Sequence, residues 1–373
     1  MNNNTKPSIA FVIHGLCMGG AEKFTITLLN HLHQKGYPVF LISLSEDRTL
    51  ENELHPNIPI FTLLRKSKYD LSIKDKIRYV LMQNQTDKVF CINSYAYFLT
   101  KLALLKNRSI DVYLSLHSTV ASNIKNYVQN LFYFRMIDPT DHIIFLCQKQ
   151  KEYLSKNYFI SNPNQHVINN GIDTNYFRPN KETEIIRTAA RTRFNLSHDE
   201  SVILKVARIA PEKGHLDAIE ALYLLHDKYK EQAHLIFVGD GPSIYKYKIR
   251  KSIAERGLED YVHFEGNQQD VRGYYQFADL FTLTSHSTET FSIAALEAMA
   301  CGLPCSMTDV GGASEMIVPG VNGLLTTPHD PLSMAESWYT LLSGKPKRDL
   351  IRAHVVEHFD KRSMLAKYDA ILH

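Results

Sequence analysis

Cysteine is scarce and scattered: Cys17, Cys91, Cys147, Cys301 and Cys305 are five in 373 residues, with no Cys-x-x-Cys pair. That excludes a small disulfide-stapled scaffold, gives no signal of a structural zinc site and points to reduced thiols in a cytosol-like compartment. Long apolar runs are missing too. No stretch approaches the roughly 18 apolar residues a spanning helix needs, and the start, MNNNTKPSIAFVIHG, is a poor signal peptide because its short apolar run ends in His14-Gly15. Neither sign of charge dominates, with 42 Lys+Arg against 39 Asp+Glu, and no nucleic-acid partner is expected. The charge divides unevenly, however: residues 1–175 carry 19 basic against 13 acidic residues and the remainder 23 against 26. A basic first half suits an anionic substrate or membrane surface, and equally a plain solvated lysine-rich face.

What is present is globular: 44% hydrophobic and 22% charged residues exclude disordered and fibrous chains. The length allows two domains. Short apolar runs rich in β-branched residues alternate with longer amphipathic stretches, the rhythm of buried parallel strands and crossover helices. Strands are predicted at Ile9–His14, Val39–Leu44, Ile60–Leu63, Lys88–Ile92, Val112–Leu116, His142–Leu146 and His166–Ile168. After the polar segment NNGIDTNYFRPN, a linker candidate, they resume at Val202–Ile209, His234–Val238, Val262–Glu265, Leu280–Thr284 and Gly323–Thr326. Helices are predicted near 21–34, 72–84, 95–106, 123–136 and 148–157, then 214–229, 242–256, 268–277, 291–300, 331–343 and 346–371. The fold class is α/β, with two doubly wound sheets and ligands expected beyond the carboxyl ends of the strands, in a cleft between the units.

Three segments carry chemistry. His14–Glu22 follows the first strand and opens a helix; Gly15, Gly19 and Gly20 let the backbone approach a phosphate, and the helix start offers free N–H donors. A simple tight turn accounts for the same glycines. Val206–Gly214 ends the first strand of the second half, and its Arg208 and Lys213, as a pair aimed at one site, can neutralise a diphosphate leaving group. As isolated charges they are surface residues. The third, Ser285–Pro304, places Glu289 in a loop, the N–H groups around Ser292 toward an anion and Glu297 inside a helix beginning near Phe291. Eight residues correspond to about 80° around a helix, so the two carboxylates serve different parts of one elongated ligand, and a glycosidase pair is disfavoured.

Glu289-x7-Glu297 with its trailing Ala-Met-Ala-x-Gly-x-Pro, the Arg208…Lys213 pair, Gly19-Gly20-Ala21-Glu22 and Asn170-Gly171-Ile172-Asp173 together resemble glycosyltransferase family 4. The resemblance implies the GT-B architecture, two Rossmann-like domains facing across a cleft, and retention of anomeric configuration. It implies domains at 1–175 and 176–355, with 356–373 a C-terminal helix packing back toward the first. By the same resemblance Arg208 and Lys213 hold the donor diphosphate, helped by backbone donors at Phe291, Ser292 and Ile293. Glu297 binds the nucleotide ribose, Glu289 the hydroxyls of the transferred sugar, Gly19 and Gly20 the phosphates, and His117 lies beside the donor sugar. Ser292 departs from the glycine many members carry, and its hydroxyl is an alternative phosphate donor. No Asp-x-Asp occurs in the sequence, so no metal and no cofactor are expected, the nucleotide diphosphate sugar being the substrate. UDP is the expected base and the resemblance suggests polysaccharide assembly.

The acceptor is expected to be a glycan or lipid-linked. Arg65-Lys66-Ser67-Lys68, Lys74, Lys76 and Arg78, with Leu131-Phe132-Tyr133-Phe134 on a helix, suit peripheral contact with the inner face of a cell membrane; a solvated loop and an ordinary core helix fit the same residues. Rival functions are a nicotinamide oxidoreductase, disfavoured because Gly-x-Gly-x-x-Gly is absent, a nucleotide-sugar epimerase of the same architecture, and a non-catalytic nucleotide-sugar or glycan-binding protein.

Overall fold

Ile9–Ile13 is buried at every position, as is Val39–Ser43; a strand covered on both faces reads as a continuous apolar run rather than an alternation. Such runs organise both halves of the chain. The computed structural model describes residues 6–65, 70–105, 109–119, 124–180, 183–197, 199–287 and 289–372. Within these, β1 (Ile9–Ile13), β2 (Val39–Ser43), β3 (Ile60–Thr62), β4 (Lys88–Ile92), β5 (Asp111–Leu116), β6 (His142–Phe145) and β7 (Gln165–Val167) form one sheet in the order β3-β2-β1-β4-β5-β6-β7. All its pairings are parallel. A second parallel sheet holds β8 (Ser201–Val206), β9 (Ala233–Val238), β10 (Val262–Phe264), β11 (Leu280–Leu283), β12 (Cys305–Thr308) and β13 (Gly323–Thr326), in the order β10-β9-β8-β11-β12-β13.

Each order reverses once, between β1 and β4 and between β8 and β11. At such a reversal successive connections run to opposite faces and leave a crevice at the strand carboxyl ends. In the first unit Ala10, Val12, Cys91 and Leu114 pack on Ile77 and Leu81 of the helix Ile73–Gln83 and on Tyr97 and Leu99 of Asn93–Leu104. In the second, Ile203, Leu235 and Phe237 meet Ile219 and Leu222 of His215–Tyr229 and the chain's single tryptophan, Trp338. Trp338 is fully buried and its indole N–H donates to Thr282 Oγ1 at 3.1 Å. All five cysteines are free, and burial pushes the Cys91 and Cys301 thiols up to about 12, which makes them packing groups rather than nucleophiles.

One strand and one long helix stand where none is predicted. β12 is not among the predicted strands: Cys305-Ser306-Met307-Thr308 is half polar, yet every residue is buried between β11 and β13, with Ser306 Oγ accepting from Ser337 Oγ. The helix Thr183–Arg193 is not among the predicted helices either, because Ala190 alone is buried and the apolar stripe that marks a helix is nearly absent.

The chain divides into Met1–Asn169 and Asn170–His373, six residues before the expected 175. The expected linker is in part a stitch. Ile172 N–H donates to Phe359 O, Lys361 N–H donates to Ile172 O, Lys361 pairs with Asp173 and Asn170 Nδ2 donates to Phe291 O at 2.9 Å. A Cβ on Gly171 would lie 2.8 Å from Lys361 Cα, so glycine alone permits the approach. The expected bound at 355 falls inside the helix Arg348–His358, and the expected helix 346–371 is two, the second being Lys361–Leu372. That last helix contacts residues 171–174, which lie within the expected first domain but belong by contacts to the second unit.

Candidate active site

In the second unit, β8 ends at Val206 and the chain passes through Arg208 and a 3-10 turn, Pro211–Lys213, into the helix His215–Tyr229. β11 ends at Leu283 and leads through Ser285, His286 and Glu289 to the helix Ile293–Ala300. These connections leave the two strands flanking the reversal. Lys213 Nζ lies 2.7 Å from Glu289 Oε2, with both side chains about one-sixth exposed, and Ser285 Oγ donates to the same oxygen at 3.3 Å. The connections are also tied through the backbone: His286 N–H donates to Glu212 O, and Thr284 Oγ1 donates to Gly214 O at 2.6 Å. Gly214 has φ +63° and its missing Cβ would lie 1.8 Å from Thr284 O.

Arg208 is placed differently. Its guanidinium pairs with Glu212 at 2.9 Å and is 70% exposed, a surface pair worth about 0–1 kcal/mol and free to exchange partners. Ser292 is the N-cap of Ile293–Ala300: its Oγ accepts from Ala295 N–H at 3.3 Å, and the amides of Ile293 and Ala294 come before the helix's own acceptors. Phe291 is buried against Phe359 and its carbonyl accepts from Asn170, so its ring is a packing group. Glu297, buried on the helix, accepts from Tyr275 Oη at 2.8 Å. Glu289 lies in the loop before the helix and Glu297 inside it, the positions expected of them. Thr288 lies outside the described residues.

Beneath this pair sits a group that motif reading missed. Lys205, on β8, is fully buried with Nζ donating to Thr284 Oγ1 at 2.9 Å. Burial and then the neighbouring Lys213 push it down to about 7; burial and then Lys205 hold His215 well below the usual histidine range. The signal was a lone charge inside the apolar run Val202-Ile203-Leu204-Lys205-Val206. Between about pH 7 and about 10 the unfolded chain binds a proton that the folded chain releases, so Lys205 makes stability rise with pH across that window. Lys205→Met is expected to raise the Tm at pH 7 by several degrees, about 1–4 kcal/mol, and to flatten that rise. Calorimetry from pH 6 to 10 checks this; a lower Tm for the variant at pH 7 overturns it.

In the first unit, Gly19 is the N-cap of the helix Gly20–Gln34, after β1 on one side of the reversal. Asn93, at φ +69°, follows β4 on the other, and its Oδ1 accepts from His117 N–H at 2.8 Å. His117 follows β5; its Nε2 lies 3.0 Å from Ser115 Oγ and its ring 4.7 Å from that of Phe24. Burial pushes His117 down to about 3, so the imidazole is neutral at ordinary pH. Gly19, Gly20, Asn93 and His117 thus share one end of one sheet. Sequence reasoning missed Asn93; the signal was an Asn directly after an apolar run, where a left-handed residue is tolerated.

Of the expected membrane-facing residues, Lys66, Ser67 and Lys68 lie outside the described residues. On the helix Ile124–Phe134 the aromatics divide: Tyr133 and Phe134 are buried, while Phe132 is exposed with Val128 and Ile124. Among the described residues no helix is long and apolar enough to cross a membrane.

The family Glycosyl transferases group 1 matches residues 186–354 and Glycosyltransferase Family 4 matches residues 18–176. N-acetyl-alpha-D-glucosaminyl L-malate synthase of Bacillus anthracis is 24% identical over 373 residues, covering 95% of this chain and 93% of that protein. D-inositol 3-phosphate glycosyltransferase of Thermobispora bispora is 30% identical over 232 residues, covering 60% of this chain and 53% of that protein. Among solved structures, Anabaena Alr3699/HepE in complex with UDP has a TM-score of 0.85 at 22% identity, covering 98% of this chain and 99% of that one. The same protein has been solved with UDP-glucose.

Proposed function

From the premise that this chain belongs to glycosyltransferase family 4 and has the GT-B architecture, we propose that it transfers a hexose-type sugar from a UDP-linked donor, with retention and without a metal. The acceptor in this reading is a glycan or a lipid-linked glycan of cell-surface polysaccharide assembly. The observation that carries it is the Lys213–Glu289 contact at 2.7 Å, set where β8 and β11 diverge and next to the start of Ile293–Ala300. A fixed cation and helix amides receive the diphosphate and stabilise it as it leaves. Arg208 exchanges Glu212 for a phosphate oxygen. Glu289 accepts from hydroxyls of the sugar and Glu297 from the ribose. The acceptor hydroxyl enters on the face the phosphate leaves, and a departing phosphate oxygen takes its proton.

In the first unit, the amides at Gly19 and Gly20 are assigned to phosphate oxygens and the neutral His117 to a sugar hydroxyl. The exposed Ile124, Val128 and Phe132, flanked by exposed Lys125 and Arg135, support contact with an anionic leaflet on the cytoplasmic side. The UDP assignment draws on the structural neighbour solved with UDP and UDP-glucose.

Thermal unfolding with UDP, GDP and ADP tests the donor: a saturating ligand at 100 times its Kd stabilises by about 2.7 kcal/mol, and UDP is expected to give the largest shift. A larger shift with GDP or ADP overturns the base assignment. NMR of the product from a UDP-hexose then reads the anomer, and inversion overturns retention.

A further inference from the structure

Three side chains not used by the donor reading converge in the second unit. Asp217 is the third residue of His215–Tyr229. His286 lies in the connection after β11, and His329 lies in the turn between β13 and the helix Pro331–Gly344. His286 Nε2 is 2.8 Å from Asp217 Oδ2, and His329 Nδ1 is 3.8 Å from that same oxygen. One ligand atom from each residue lies within 4.8 Å of the others. The two imidazole rings sit with centroids 3.7 Å apart.

We propose that Asp217, His286 and His329 form a binding site for a zinc-type dication, held by two imidazole nitrogens and one carboxylate oxygen. Bonds of about 2.0–2.2 Å to a tetrahedral ion place its ligand atoms about 3.3–3.6 Å apart. The 2.8 and 3.8 Å separations bracket that edge and the third lies within 4.8 Å, so the ion is admitted once the two imidazole rings swing apart from their 3.7 Å contact. An ordinary His286–Asp217 hydrogen bond requires only two of the residues, whereas here a second imidazole sets a nitrogen 3.8 Å from the same oxygen. The first two side chains are about one-fifth exposed and His329 is 65% exposed, which gives two fixed ligands and a third that closes from the solvent side. A fourth position is left for water, as three-ligand sites have. The donor set selects zinc, cobalt or nickel over magnesium and calcium, which require mostly oxygen.

The ligands come from three different connections, those following β8, β11 and β13, so the bound ion ties them together. His286 is three residues from Glu289 in the chain, which couples ion occupancy to the placement of that carboxylate. None of the residues assigned to the nucleotide sugar is a ligand, so failure of either reading leaves the other standing.

The experiment uses the full chain, stripped with a chelator and titrated with Co2+ by visible absorption and with Zn2+ by competition against a chromophoric chelator. One equivalent is expected to bind with the absorption of low-coordinate Co2+, and Zn2+ to raise the Tm. His329→Ala, on an exposed turn, is expected to keep the metal-free Tm and weaken binding by at least about tenfold. Asp217→Asn is expected to do the same to binding. The double variant His354→Ala/His358→Ala removes another close imidazole pair, with rings 4.7 Å apart, and is expected to bind like the parent. Absent stoichiometric binding, binding unchanged in His329→Ala, or binding lost in the His354/His358 variant overturns the proposal.

Discussion

Lys213→Ala is expected to lower kcat/KM for sugar transfer by about 10²–10³-fold, the usual consequence of removing one preorganised donor from developing negative charge. The effect is large because little else at that point in the second unit supplies fixed positive charge. Lys205 is driven toward neutrality by burial, His215 likewise, and Arg208 stands 70% exposed on Glu212. The variant also strips Glu289 of its 2.7 Å partner and leaves it the weaker Ser285 hydroxyl contact at 3.3 Å, so part of the loss belongs to an under-compensated carboxylate. A double-mutant cycle with Glu289→Gln separates the two. If Lys213 acts on the diphosphate, the double variant remains crippled and UDP stabilises it less than the parent. Recovery of transfer in the double variant assigns the single-variant loss to Glu289 instead.

The largest stability effect is expected at Gly214. An alanine there meets two obstacles: φ +63° and a carbonyl, Thr284 O, 1.8 Å from the new Cβ. The left-handed conformation alone costs about 1–2 kcal/mol for an L-residue, and moving backbone to relieve the clash brings the expected loss to about 3–5 kcal/mol. Gly257 provides the internal comparison: its φ is +65°, and an added methyl would meet no described atom within 4 Å. Gly257→Ala is therefore expected to show the conformational cost without the clash. Denaturant midpoints for the two variants decide the matter; equal losses mean that the Thr284 contact contributes nothing.

Much of the fold is legible because buried parallel strands advertise themselves as unbroken apolar runs. Lys88–Ile92 and Gly323–Thr326 match their predicted bounds, whereas Cys305–Thr308 escaped because its hydroxyls are satisfied by a neighbouring helix and the connection after β11 rather than by solvent. Thr183–Arg193 escaped for the converse reason, being a helix with almost no buried face. At the site, Lys213 and Glu289 were legible as motif positions, and the structure joins them. Lys205, Tyr275 and Asn93 were not, since their importance lies in what surrounds them in space: a buried threonine hydroxyl, a buried carboxylate and the backbone amide just past the next strand. The direction of Phe132 against Tyr133 and Phe134 depended on helical phase, which composition does not convey.

The pairing of Ile172 with Phe359 and Lys361 has a bearing on biosynthesis. Ile172, among the second unit's earliest residues, finds its backbone partners among the latest, so this closure waits while the ribosome is still threading out everything between them. Nascent chains halted before Phe359 should accordingly be degraded or captured by chaperones, even with all thirteen of the described strands already synthesised.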